Sequence, residues 1–121
     1  VVENNTGNRL WELTDVNARG HVTQFQLGNS LLTTKGYDDY GFPTTIYTDR
    51  GVQDLEYDFN SNSGNLIWRQ ATVSGQTLKE NFTYDVLGLN NRLTTWKVGT
   101  GTQYSVDYFD DGNMNTYRLS F

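Results

Sequence analysis

Tyr84-Asp85-Val86-Leu87-Gly88, followed by Asn91-Arg92-Leu93-Thr94-Thr95-Trp96, decides how this chain is to be read. It reads as the end of one β-strand, a tight turn closed by glycine, and the start of a second strand. On the strand side, Leu78, Glu80, Phe82 and Tyr84 fall on one face and Thr77, Lys79, Asn81 and Thr83 on the other. That period of two marks a strand with one aromatic-rich and one wetted face. The aspartate at the strand end offers an oxygen to the amides of the turn. The glycine supplies the positive φ that the turn demands. The tyrosine is expected to pack across the hairpin against its neighbours.

The same phrase recurs on either side. Leu10-Trp11-Glu12-Leu13-Thr14-Asp15 leads through Val16–Arg19 to Gly20-His21-Val22-Thr23-Gln24-Phe25. Tyr37-Asp38 leads through Gly41 to Thr44-Thr45-Ile46-Tyr47, and Tyr57-Asp58 through a longer Asn/Ser turn and Gly64 to Asn65-Leu66-Ile67-Trp68. The last copy runs from Tyr108 through Asp110-Asp111-Gly112 to Tyr117. With Thr14 standing for the first tyrosine, Thr14, Tyr37, Tyr57, Tyr84 and Tyr108 are spaced 23, 20, 27 and 24 residues apart. A period of this size suits two strands and two turns, with the variation taken up in the turns. The predicted fold is all-β: an antiparallel sheet of consecutive β-hairpin repeats, curved or open, forming one repeat region over residues 1–121. Its units lie at approximately 8–30, 31–50, 51–76, 77–101 and 102–121. The residues predicted to carry the motif are Trp11, Asp15, Gly20, Tyr37, Asp38, Gly41, Tyr57, Asp58, Gly64, Trp68, Tyr84, Asp85, Gly88, Trp96, Tyr108, Asp110 and Gly112.

Composition agrees with strands and polar turns. Aromatics reach 14%, with eight tyrosines, twelve glycines and one proline, while hydrophobic residues are 36%, lean for a self-contained core. A sheet of about ten strands with so few residues to cover it must curl, pack on another copy or keep part of its aromatic face exposed. Its end strands present unpaired backbone edges. Both features point to a segment of something larger, and Val1 opens in mid-pattern, as a mature or excised fragment would. The net charge of −5 argues against nucleic acid or an anionic membrane as partner. The absence of cysteine removes disulfides and thiolate metal sites. No stretch reaches the ~20 apolar residues of a membrane helix.

No cluster reads as catalytic. Asp58 to Gly64 imitates a calcium loop, but Gly64 falls at position 7 rather than 6 and Arg69 stands where the bidentate glutamate belongs. A polar hairpin turn accounts better for it, and for Asp110-Asp111-Gly112-Asn113. His21 is the one histidine and lacks the companions of a triad. Glu12 with Asp15, and Asp54 with Glu56, sit on strands in spacings that do not build a glycosidase pair. Asn4-Asn5-Thr6 and Asn81-Phe82-Thr83 match the glycosylation sequon, a pattern frequent by chance. Trp11, Trp68 and Trp96 read as packing residues, with a sugar-stacking surface as the alternative. No cofactor and no metal are expected.

The phrases Thr14-Asp-Val-Asn-Ala-Arg-Gly-His-Val-Thr-Gln-Phe, Tyr37-Asp-Asp-Tyr-Gly-Phe-Pro-Thr-Thr-Ile-Tyr and Tyr84-Asp-Val-Leu-Gly-Leu-Asn-Asn-Arg-Leu-Thr-Thr-Trp together resemble the RHS/YD-repeat family over nearly the whole chain. The resemblance implies a secreted or surface-exposed bacterial protein, with related modules in animal teneurins. In that family the repeats wind a long β-sheet into a hollow shell, which in polymorphic toxins encloses an effector. The family's Asp-Pro-x-Gly-Leu type motif, linked to autoproteolysis, has no counterpart, since the one proline, Pro43, is followed by Thr44. The resulting expectation is a non-enzymatic wall module. Its partners would be neighbouring repeats or other copies, met through sheet edges and the aromatic face. The alternative is a carbohydrate- or surface-binding β module with a glycan as partner.

Overall fold

The computed structural model describes residues 9–85 and 91–120. Ten strands form in chain order: β1 (Trp11–Val16), β2 (Val22–Leu27), β3 (Leu32–Tyr37), β4 (Pro43–Thr48), β5 (Gln53–Phe59), β6 (Leu66–Val73), β7 (Gln76–Tyr84), β8 (Leu93–Val98), β9 (Gln103–Tyr108) and β10 (Met114–Ser120). Each strand hydrogen-bonds to the next, giving an antiparallel meander in the order β1 to β10. The helical content of the described residues is one 3₁₀ turn at Asp49–Gly51. The all-β expectation is met.

The strands divide between two compact units, Val1–Glu56 with Ala71–Gln76, and Tyr57–Gln70 with Thr77–Phe121. In the first, one face carries Trp11, Leu13, Phe25, Ile46 and Leu55, as the pairings Leu13↔Phe25, Phe25↔Thr33, Lys35↔Ile46 and Ile46↔Leu55 require. Trp11 lies 5.7 Å from Phe25 between ring centroids, and the Lys35 ammonium sits 5.6 Å from the Phe25 ring. Buried on this face, the paired Thr33 and Thr48 share a hydroxyl–hydroxyl hydrogen bond of 2.7 Å. Each hydroxyl satisfies the other, so the pair is buried without an orphaned polar atom. The opposite face carries Glu12, Gln24, Gln26, Thr34, Tyr47, Asp54 and Glu56.

In the second unit the ladder runs Phe82↔Trp96↔Tyr104, with the Trp96 and Tyr104 rings stacked at 4.5 Å and 15°. Val106 is the one buried apolar side chain among the described residues. The alternation expected in β7 holds for Glu80, Phe82 and Tyr84, which are half-buried, against exposed Asn81 and Thr83. It fails at Leu78, which is 56% exposed. The aromatic faces are thus half-buried by their own neighbours along the sheet.

Two kinds of turn recur. Within three hairpins, a three-residue loop closes by a pair of backbone bonds. Asn17 N–H donates to His21 O and Gly20 N–H to Asn17 O; Asp38 pairs likewise with Phe42 and Gly41, and Phe109 with Asn113 and Gly112. This is a type I turn followed by a left-handed residue, and Gly20, Gly41 and Gly112 take it at φ 81°, 91° and 88°. Between hairpins, Leu27 and Leu31 close the same three-residue loop with Ser30 left-handed at φ 65°, whereas Arg50-Gly51 and Ser74-Gly75 both have positive φ at two successive residues, as a two-residue primed turn requires.

Candidate functional site

The turns set the phase of the repeat, and they shift two of its copies. The oxygen that caps the first turn belongs to Asn17, whose Oδ1 accepts from the amides of Arg19 and His21. Asp38 does the same for Tyr40 and Phe42. In the third copy the cap is Asn60, accepting from Asn62 and Ser63, and in the fifth it is Asp111, accepting from Asn113. Asp15, Asp58 and Asp110 therefore do not cap their turns as expected; Asp15 Oδ1 accepts from the adjacent Val16 amide. The strand-end position held by Tyr37 belongs to Val16 in the first copy and Phe59 in the third, in place of Thr14 and Tyr57. Val16, Tyr37, Phe59, Tyr84 and Tyr108 are spaced 21, 22, 25 and 24 residues apart, a tighter period than the tyrosine alignment gave. A slip of two residues keeps every side chain on its face, so alternation alone could not detect it.

Gly64 has the expected positive φ of 73°, whereas Gly88 lies outside the described residues. In that fourth turn Asn91 takes positive φ (48°), and Asp85 pairs through its backbone with Arg92 and Asn91. Asparagine is the residue other than glycine that enters this region most readily. Two residues after each of these left-handed positions stands the first residue of the second strand: Val22, Pro43, Leu66, Leu93 and Met114.

In all four hairpins whose register is described, that residue pairs with the strand-end position: Val16↔Val22, Tyr37↔Pro43, Tyr84↔Leu93 and Tyr108↔Met114. The next pairs are Asp15↔Gln24, Gly36↔Thr45, Thr83↔Thr95 and Asp107↔Thr116. One extra residue is thereby left in each second strand: Thr23, Thr44, Thr94 and Asn115. An added residue of this kind bends the strand and re-aims the side chain opposite. Pro43, without an N–H, sits at the first residue of a strand and beside a bulge, where a sheet tolerates it. Gly36 is required nearby, because a Cβ there would come within 2.5 Å of Thr45 Oγ1 and 2.9 Å of Thr44 Oγ1.

Besides standing opposite Pro43 and Met114 in their own hairpins, Tyr37 and Tyr108 fasten onto the hairpin before. Tyr37 OH donates to the Val22 carbonyl at 2.9 Å, and Tyr108 OH to the Leu93 carbonyl at 2.8 Å. In both cases the acceptor lies 15 residues upstream. The residue 16 upstream covers the ring: His21 at 4.8 Å from Tyr37, and the Arg92 guanidinium at 4.7 Å from Tyr108. Each clasp joins a hydroxyl–carbonyl bond to a stacked partner, and one clasp lies in each compact unit. Tyr84 is part-buried, and burial pushes its phenol above the ordinary value of 10.0.

Elsewhere in the second unit, Arg69 pairs with Glu80 and lies 5.9 Å from the Phe82 ring. The bond to Glu80 holds the guanidinium above its usual range. The Lys79 ammonium sits 3.8 Å from the Trp68 ring centroid. Since Lys79 alternates with Glu80 and Phe82, Trp68 and Trp96 stand on opposite faces and do not share a surface. Among the described residues no three His, Asp or Glu side chains gather as metal ligands would.

The clasp residues that sequence reading missed, His21, Val22, Arg92 and Leu93, had a signal. The dipeptides Val22-Thr23, Pro43-Thr44, Leu93-Thr94 and Met114-Asn115 recur at a fixed offset from the left-handed turn residue. No family model matches the chain, and no curated protein matches it.

Proposed function

We propose that this chain is a non-enzymatic structural repeat module, part of the β-sheet wall of a secreted or cell-surface bacterial protein of the RHS/YD-repeat kind. The observation that carries the reading is the clasp, built twice with identical spacing, which joins the second hairpin to the first and the fifth to the fourth. A device that ties unit to unit suits an array stabilised by nearest-neighbour interfaces. The half-buried aromatic faces suit a wall whose cover comes from neighbouring repeats or other copies. Wall-building here rests on Tyr37, Tyr108 and their upstream partners, and on the left-handed turn residues.

A tandem insertion tests this. A second copy of residues 33–52 placed after Val52 puts Thr33 of the copy opposite Thr48, where Gln53 now pairs, and so keeps every face. A repeat module accepts it, with unchanged far-ultraviolet signal per residue and no loss of stability. Unfolding by the insertion, together with saturable glycan binding that Trp68→Ala abolishes, would move the reading to a self-contained binding domain.

A further inference from the structure

Tyr84 holds the strand-end position of the fourth hairpin, as Tyr37 and Tyr108 hold it in the second and fifth, and pairs with Leu93 ahead of the extra residue Thr94. The strand before it carries the matching parts. His21 faces Tyr37 when β2 and β3 are counted from Gln26↔Leu32, and Arg92 faces Tyr108 when β8 and β9 are counted from Lys97↔Gln103. Counted four residues outward from the Arg69–Glu80 pair of β6 and β7, Asn65 faces Tyr84. Leu66 then stands where Val22 and Leu93 offer their carbonyls. Yet the Tyr84 hydroxyl makes no hydrogen bond among the described residues, and burial is what raises its phenol. The Asn65 side-chain amide donates instead to Asn91 Oδ1 at 3.4 Å, in the exposed fourth turn.

We infer that the residue facing the strand-end tyrosine decides whether a clasp closes, and that Asn65 leaves the joint between the third and fourth hairpins as an open latch. In the closed clasps an imidazole or a guanidinium lies against the tyrosine ring, at 4.8 Å for His21 and 4.7 Å for Arg92. Such a partner attracts the ring face and holds the hydroxyl over the carbonyl one residue on. Asn65 has neither ring nor cation to give, and its bond to Asn91 draws it toward the turn. The donor and the acceptor are in place and the cover is missing. One long, exposed amide–amide bond is what closing the latch must break. The latch rests on the clasp and not on the wall reading, so failure of the tandem insertion would leave it standing.

Urea midpoints of the full chain and its variants, followed by tryptophan fluorescence, test it. Tyr84→Phe removes a hydroxyl that bonds nothing and should shift the midpoint no more than Tyr40→Phe, a change in an exposed turn. Asn65→His copies His21 and should close the latch. The midpoint then rises by roughly 0.5 M, and Tyr84→Phe in the Asn65→His background takes the gain away. The reverse change, His21→Asn, should open the first clasp. Tyr37→Phe then costs roughly 0.5 M in the natural chain and little in the His21→Asn background, the coupling expected of two groups that act as one. A Tyr84→Phe loss in the natural chain as large as that of Tyr37→Phe would overturn the proposal, because the latch would be closed already. So would the absence of a gain from Asn65→His, or a gain that survives Tyr84→Phe. A Tyr37→Phe loss unchanged by His21→Asn would overturn it as well, and this pair decides the matter even where Asn65→His does not fold.

Discussion

Tyr37→Phe and Tyr108→Phe are the sharpest test of the clasp, because each removes one oxygen and leaves the ring in place. The hydroxyls donate to main-chain carbonyls at 2.9 and 2.8 Å in part-buried surroundings. A hydrogen bond of this kind contributes about 1 kcal/mol net, and the bereaved carbonyl sits near enough to the surface for water to limit the loss. The stacked partners, His21 and Arg92, still meet a ring, so their contribution persists. Each substitution should therefore cost about 1 kcal/mol. The double variant should cost about 2 kcal/mol, since the two clasps share no residue. In urea this is a midpoint shift of roughly 0.5 M per substitution for a slope near 2 kcal/mol/M. Trp11 reports on the first unit by fluorescence, and Trp68 and Trp96 on the second. Tyr40→Phe is the control, because Tyr40 is 68% exposed in a turn. If Tyr37→Phe and Tyr108→Phe shift the midpoint no more than Tyr40→Phe, the clasp holds nothing and the equivalence drawn between the two units is wrong.

Three other outcomes follow from the same geometry. Asp38→Ala and Asn60→Ala each remove an oxygen that accepts two turn amides and should cost about 1 kcal/mol in chemical denaturation, whereas Asp58→Ala should stay within about 0.5 kcal/mol; a larger loss at Asp58 would restore the tyrosine-based phase. The Thr23 hydroxyl is buried and makes no hydrogen bond among the described residues, while Thr94 Oγ1 donates to the Thr83 carbonyl at 3.2 Å. Thr23→Val should thus stabilise by about 1 kcal/mol and Thr94→Val destabilise, with equal effects on thermal midpoints counting against the distinction. Burial raises the Tyr84 phenol in the folded chain above its unfolded value, so the stability linked to it is intact below pH ~10 and lost as pH climbs through the folded value. Ultraviolet titration at alkaline pH should show one tyrosine ionising late, and Tyr84→Phe should remove it; an unchanged curve would place the late group elsewhere.

Much of this protein is legible in its sequence because strands and turns are local. The period of two in residues 77–84 requires no knowledge of the neighbouring strand, and a left-handed turn residue announces itself as glycine at 20, 41, 64 and 112. An all-β antiparallel sheet of consecutive hairpins follows from that. What tertiary structure decided is the phase and the fastening. Asn17 and Asn60 serve as caps in place of Asp15 and Asp58, since a two-residue slip leaves the faces unchanged and only the turn bonds resolve it. The extra residues Thr23, Thr44, Thr94 and Asn115 are invisible until two strands are laid side by side, because a bulge is a property of a pair. The tyrosine's acceptor is a backbone carbonyl, a group every residue owns and no sequence marks. Its location 15 residues upstream exists only once one hairpin lies against the last.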